Sequence, residues 1–393
     1  MKKSLEIILA CVITITTTLT IEAQGFKFAA MSDSRGQYNG VNEPVLSLLV
    51  NHLLKTQPEV KFIVFAGDMT NGHIHNPDST LNELLYWRKV MSPAYYSKNL
   101  VWPKVWPVVG NHEIRNKKDE DNFRKVFPDV FINGPDDEKG LSYSFEFTDS
   151  KFIVVNSDRW YYGDPNDTTD DRKDWHYIKH LDWLENELIE AEENKLNHIF
   201  VFSHEMAFPT GGHLHDGLPN LGRHIVFPLD STRLWYLDRR NKFWSLLKKY
   251  NVDAHICGHE HLYARQSVDG VYEIITGSTG APIYKFNPKY RAENVDSVYP
   301  GDEMSYAEAV KHYKVLNYFY GPGENSQASR DFVGLRAFNY TVYDVQKDSV
   351  VVETYGAFPK IGTKDILDSP IKLVDKFVIK NTVIKKNKMR SLK

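Results

Sequence analysis

The sequence predicts an α/β protein of layered architecture. Three observations carry that expectation. Short, β-branched apolar runs closed by Gly, Asp or Asn read as buried strands. Segments of helical spacing lie between them. In the C-terminal third, two alternating segments joined by a polar turn read as a hairpin. Strands alternating with helices build a sheet covered by helices. With 393 residues, 42% hydrophobic and 13% aromatic, the chain can bury a sizeable core in one large domain or in one plus an appendage.

Taken in order, the chain opens with Met1-Lys2-Lys3, a stretch from Leu5 to Leu19 that is mostly apolar or Thr, and Ile21-Glu22-Ala23 before Gln24-Gly25. This is the pattern of a cleaved signal peptide over residues 1–23, and it predicts a secreted or periplasmic protein. The lipobox-like Ile8-Leu9-Ala10-Cys11, which would anchor a lipidated Cys11, is the less favoured alternative, because Glu6 interrupts the short apolar run before it. Cleavage would leave Cys257 without an intramolecular partner. At the end of an apolar strand, Cys257 reads as a small buried thiol rather than a metal ligand.

Residues 24–285 are expected to form the core. The run Phe26–Met31 is followed by Asp33, and Glu43–Thr56 is a helix with Val45, Leu48, Leu49, His52 and Leu53 on one face. Phe62–Ala66 leads to Asp68, a helical stretch covers Leu81–Val90, and Val105–Val109 leads to Asn111. The amphipathic segment His180–Glu193 buries Leu181, Leu184 and Leu188, then Ile199–Phe202 leads to His204. Ser231–Tyr250 is another helix, and Ala254–Cys257 leads to His259. Residues 286–393 are read as a C-terminal extension whose hairpin, Ala337–Val345 with Ser349–Tyr355, adds strands to the core.

The net charge of −3 shows no basic field that would suggest a nucleic-acid partner, and the basic tail of Lys385, Lys386, Lys388, Arg390 and Lys393 reads as solvated. No internal repeat and no apolar span beyond the leader is evident.

The chemistry lies at the strand ends. Polar side chains just past the carboxyl ends of parallel strands can converge without being buried in the core. Asp33 and Asp68 offer anionic oxygens, Asn111 a neutral oxygen, and His204, His259 and His261 imidazole nitrogens. That mixture suits Zn, Fe, Mn or a mixed pair, whereas Mg or Ca sites use oxygens throughout.

In this order, Asp33-Ser34-Arg35, Gly67-Asp68, Gly110-Asn111-His112-Glu113, His204 and Gly258-His259-Glu260-His261 resemble the motifs of the calcineurin-like metallophosphoesterase family, over roughly residues 26 to 285. The family includes purple acid phosphatases, Ser/Thr phosphatases and phosphodiesterases. The resemblance implies a central two-sheet β-sandwich flanked by helices and two divalent metal ions with a bridging hydroxide as nucleophile. It implies Asp33, Asp68 and His261 at one ion, and Asp68, Asn111, His204 and His259 at the other, with Asp68 bridging. It also implies a catalytic role for His112, as proton donor or transition-state stabiliser, oriented by Glu113. The substrate would be a phosphomonoester or phosphodiester of a small molecule, including sugar-phosphate or glycan-type esters.

Two departures follow. Where the family usually carries a histidine two residues past its first Asp, this chain has Arg35, whose guanidinium has no lone pair to give. Three readings remain open: Asn71 or water fills the gap, one metal binds weakly, or Arg35 clamps the substrate phosphate. Asn71 also stands where purple acid phosphatases carry a Tyr ligand. Arg35, Asn111 and His215 are the candidate substrate contacts; His73, His75 and His213 read as loop histidines. Trp160-Tyr161-Tyr162 with Trp175, and Trp235-Tyr236, fit a stacking wall or ordinary packing equally well. The rival class is a catalytically silent metal-binding or recognition protein on the same scaffold, for which Arg35 speaks and the retained His112 and ligands speak against.

Overall fold

The computed structural model describes residues 25–158, 177–210, 218, 231–284 and 333–380. In chain order the elements are β1 (Phe26–Met31), β2 (Arg35–Tyr38), α1 (Glu43–Thr56), β3 (Val60–Ala66), α2 (Pro77–Val90), α3 (Ser92–Tyr96), β4 (Val105–Val108), α4 (Lys117–Val126), β5 (Tyr143–Phe147) and β6 (Ser150–Val154). They continue with α5 (Leu181–Glu193), β7 (His198–Phe202), α6 (Ser231–Lys249), β8 (Ala254–Cys257), β9 (Tyr263–Val268), β10 (Val271–Thr276), β11 (Val333–Leu335), β12 (Phe338–Gln346), β13 (Ser349–Ala357) and β14 (Lys372–Lys380).

Two mixed sheets face each other. One has the order β14-β13-β12-β1-β3-β4, the other β11-β9-β10-β8-β7-β6-β5. Their central strands run parallel: β1 with β3, β3 with β4, β6 with β7, β7 with β8 and β8 with β10. Those strands are almost wholly buried, as their unbroken apolar runs require. Between the sheets, Phe28 stacks on Phe62 and on Tyr343 of one sheet, with centroids 5.6 and 4.5 Å away, and meets Phe152 and Phe200 of the other edge-on at 5.2 and 5.1 Å.

The helices lie outside. Asn76 caps α2 by accepting from Ser79 N at 3.2 Å, with Pro77 at the first helical position, so the helix starts before the predicted Leu81. Asn116 and Asp119 form a reciprocal capping box that starts α4. The buried face of α1 is Val45, Leu46, Leu49, Val50 and Leu53, shifted from the predicted one: Leu48 is 52% exposed and His52 half-buried, while Leu46 and Val50 take their places.

The hairpin β12–β13 is an interior part of the first sheet, because β12 pairs antiparallel with β1 from Phe26↔Val345 to Ala30↔Thr341. Among the described residues no helix is long and apolar enough to cross a membrane.

Candidate metal centre

Both sheets aim their carboxyl ends at one place. From the first sheet come Asp33 after β1, Asp68 after β3 and Asn111 after β4; from the second come His204 after β7 and His259 and His261 after β8. The chain turns sharply there: Asp33, Asp68 and His259 have φ of 54°, 51° and 66°, a left-handed conformation costly for residues other than glycine and concentrated at functional sites. The turns are bonded to their neighbours, Asp33 N donating to the Gly67 carbonyl at 3.0 Å, Ser34 N to the Asp68 carbonyl at 2.9 Å and Gly258 N to the His204 carbonyl at 3.0 Å. Glycines permit this crowding, Gly110 and Gly258 among them. A Cβ at Gly110 would lie 2.6 Å from Asp68 Oδ1, and one at Gly258 1.9 Å from Ser32 Oγ.

Hydrogen-bond partners fix which atoms face inward. His204 Nδ1 lies 2.8 Å from the Ala66 carbonyl and His261 Nδ1 2.9 Å from the Pro282 carbonyl. A carbonyl only accepts, so each Nδ1 carries a proton and each Nε2 is the nitrogen left to face a cation or a second proton. Those Nε2 atoms point at carboxylates, His204 at Asp68 Oδ1 (3.2 Å) and His261 at Asp33 Oδ1 (3.5 Å). His259 is turned the other way: its Nε2 is 3.3 Å from Glu205 Oε2, and its Nδ1 is 3.2 Å from His204 Nε2. Two imidazole lone pairs facing at that distance repel unless a cation or proton lies between them.

The carboxylates divide their oxygens similarly. Asp33 Oδ2 accepts from Ser32 Oγ at 2.5 Å and His259 N at 3.0 Å, while Asp33 Oδ1 is buried with no hydrogen bond, as is Asn111 Oδ1. Asp68 Oδ1 accepts from His112 N at 3.1 Å. Buried oxygens left without donors are costly, and a cation satisfies them. Metal bonds of about 2.0–2.2 Å set neighbouring ligand atoms roughly 3–3.5 Å apart, which matches the distances above. Asp33, Asp68 and His261 form one group of atoms within 4.8 Å of each other, and Asp68, His204 and His259 a second. Asp68 belongs to both, so the donor set fits a pair of ions.

Electrostatics are extreme, as expected where so many charges lie buried. Burial pushes the Asp33 carboxyl up to about 7, Asp68 adding to it and His204 opposing. Burial also works against ionised Asp68, but His112 and His204 outweigh it and hold that carboxyl well below the usual range. His204 is resisted by burial and carried well above the ordinary imidazole value by Asp68. In His112 burial dominates and lowers the value well below the ordinary one.

His112 Nδ1 is 2.5 Å from the Asn71 carbonyl, leaving Nε2 on the site side, 3.7 Å from Asp68 Oδ2. Glu113 does not orient it. The Glu113 carboxylate instead accepts from the backbone N–H of Asp68 (2.8 Å), Gly110 (3.0 Å) and Thr70 (3.1 Å), tying the β3 and β4 loops together. Arg35 sits at the rim, Nη2 donating to Tyr284 Oη at 3.1 Å and Nε 3.8 Å from Asp68 Oδ2. Tyr284 in turn stacks on His261 with centroids 4.1 Å apart. Asn71 Nδ2 donates to the Gly36 carbonyl at 2.7 Å.

The family model for calcineurin-like phosphoesterases matches residues 26–263. This chain belongs to that family. Metal-dependent phosphoester hydrolysis at a dinuclear metal centre is the character of that family. Among solved structures it is similar to a purple acid phosphatase isolated from yellow lupin (Lupinus luteus) seeds, with 12% identity, TM-score 0.54, and 91% of this chain and 54% of that one covered. It is also similar to PhoD, with 11% identity, TM-score 0.54, and 92% and 70% covered. At such identities the likeness concerns the fold, and the chain spans about half the length of the lupin phosphatase. No curated protein compared with it matches.

His215, His213, Trp160, Tyr161, Tyr162 and Trp175 are outside the described residues. His73 Nε2 pairs with Glu83 Oε1 at 2.8 Å, and His75 is exposed. Trp235 packs edge-on against Tyr177 at 4.7 Å with Arg239 beside both rings. Cys257 is buried, and burial pushes its thiol well up. Sequence reasoning missed Glu205 and Tyr284. Glu205 had a signal, a carboxylate directly after a ligand-type histidine; Tyr284 had none, because its partners come from residues far off in the chain.

Proposed function

We propose that this phosphoesterase is exported, to the exterior or the periplasm, and hydrolyses a phosphomonoester or phosphodiester at two divalent ions drawn from Mn, Zn and Fe. The observation that carries the reading is the convergence of His204 Nε2 and His259 Nδ1 with the open oxygen of Asp33 around the shared carboxylate of Asp68. The leader composition of residues 1–23 supports export. Asp33, Asp68 and His261 would hold one ion, and Asp68, Asn111, His204 and His259 the other. When bound, the pair supplies a hydroxide nucleophile near neutral pH and offsets charge building on phosphorus.

The chain's own groups do the rest. Arg35, whose Nη2 donates to Tyr284, would clamp a phosphoryl oxygen, since a guanidinium donates in a fixed fork and cannot ligate. His112 either protonates the leaving oxygen or steadies phosphoryl charge through Nε2. Asn111 and His215 are the further substrate contacts.

Asp68→Asn is expected to remove hydrolysis of p-nitrophenyl phosphate and of its bis ester by more than the roughly 100-fold typical of outer-shell changes. It is also expected to lower bound metal by elemental analysis, with the circular dichroism spectrum unchanged. Full metal content and turnover in that variant would refute the assignment. A wild-type protein that binds two ions but turns over no ester would favour the silent scaffold, the reading to which Arg35 in place of an imidazole lends weight.

A further inference from the structure

A cavity of about 620 Å³ lies beside the metal centre, within the size range that takes small molecules. Its inner wall includes Arg35, Asn71 and Pro282. Each of these neighbours a site residue: Arg35 Nε lies 3.8 Å from Asp68 Oδ2, the Asn71 carbonyl holds His112, and the Pro282 carbonyl holds His261. The outer wall is of another character. Tyr38, Leu48 and Ile366 line it and are 55%, 52% and 51% exposed. They come from β2, α1 and the segment between β13 and β14. Single exposed apolar side chains need no explanation, but three from separate parts of the chain around one opening mark a binding surface. Leu48 is also one of the positions where α1 departs from the face its sequence predicts, and such local departures collect at functional sites.

We propose that this cavity is the leaving-group subsite, and that it selects phosphate esters of a bulky, predominantly apolar alcohol. The inference rests on the phosphoesterase reading. Hydrolysis joins a water oxygen to phosphorus and breaks the bond from phosphorus to the ester oxygen, and the alcohol departs with a proton. An ester whose phosphoryl group lies against Arg35 has this cavity as the adjoining space for its alcohol. Charge favours an uncharged alcohol. Besides Arg35, which faces the phosphoryl group, the charged lining is Lys364 and Asp365, adjacent and opposite in sign.

The test uses the full chain loaded with Mn and two esters of similar leaving-group acidity, phenyl phosphate and 2-naphthyl phosphate. The wild type is expected to prefer the naphthyl ester in kcat/KM by about tenfold, the scale of a few buried apolar carbons. Leu48→Asp and Ile366→Asp, both at half-exposed positions, are expected to bring that ratio close to one, mainly through KM. A wild-type ratio near one, or variants that keep the preference, would overturn the subsite. If neither ester is turned over, the phosphoesterase reading fails by itself. The cavity is then judged by calorimetric binding of 2-naphthol: binding weakened about tenfold in Ile366→Asp upholds it, and no binding to the wild type overturns it.

Discussion

At the scale of residues, the candidate site is a problem of orienting imidazoles. Three histidines converge: His204 and His261 have Nδ1 against the Ala66 and Pro282 carbonyls, and His259 has its outer nitrogen 3.3 Å from the Glu205 carboxylate, an ion-pair distance without a hydrogen bond. Outer acceptors of this kind fix the tautomer and raise ligand basicity. Glu205→Ala should therefore weaken metal binding about 10–100-fold, while Glu205→Gln, which keeps an acceptor oxygen, should restore most of it. Titration against a chromogenic chelator reads both, and an Ala variant with wild-type affinity would dismiss the role. The inward-facing side chains of this centre were legible in the sequence because each follows a strand closely. The residues behind them were not. Tyr284 reaches Arg35 and His261, and Glu113 grips three backbone amides, through contacts that no spacing rule encodes.

At the scale of elements, the buried parallel strands announce themselves as apolar runs, and α1 and β8 have the bounds their patterns predict. Strands with weaker patterns, such as β5, β9 and β14, escaped, because an alternating or edge strand depends on partners distant in sequence. One link between elements makes a pH prediction. His198 at the start of β7 has Nδ1 3.2 Å from Asp253 Oδ2 and Nε2 2.7 Å from the Gln346 carbonyl at the end of β12. Both nitrogens face acceptors, so the doubly protonated ring satisfies both. Burial alone would lower its pKa, but Asp253, the Gln346 carbonyl and Asp149 raise it above the ordinary value. A pKa raised on folding adds stability that is complete below the unfolded value of about 6.5 and is lost as pH rises through the folded value. The stability difference between wild type and His198→Asn, from urea unfolding at a series of pH values, should thus shrink as pH rises from about 6 to 8. Other histidines titrate alike in both proteins and cancel. A difference that stays constant or grows would rule out the charged bridge.

At the scale of the whole molecule, the family match ends at residue 263, but the core does not. β12 pairs along β1, and its Tyr343 stacks on Phe28 in the middle of the aromatic layer between the sheets. β1 also carries Asp33 at its end, so the strand that positions a candidate ligand is held on one side by residues beyond the matched segment. β14 differs: it is an edge strand with mostly exposed or half-exposed side chains, joined to the rest through β13 and through Asp375 with Arg265 and Tyr263. The two truncations should therefore diverge. Ending the chain after Tyr284 removes β12 and opens the flank of β1, a length of unpaired backbone beside lost aromatic packing. That protein should be insoluble or lack a cooperative thermal transition. Ending it before Lys372 removes the edge strand, its ion pairs of Asp375 with Arg265 and Lys376 with Glu353, and residues 381–393, and should leave a cooperative transition at a Tm lower by several degrees, as a loss of about 1–3 kcal/mol implies, with bound metal retained. The first truncation melting cooperatively with its metal in place would show that β1 and the candidate centre stand without the hairpin, and that the sandwich is closed by some contact other than β12.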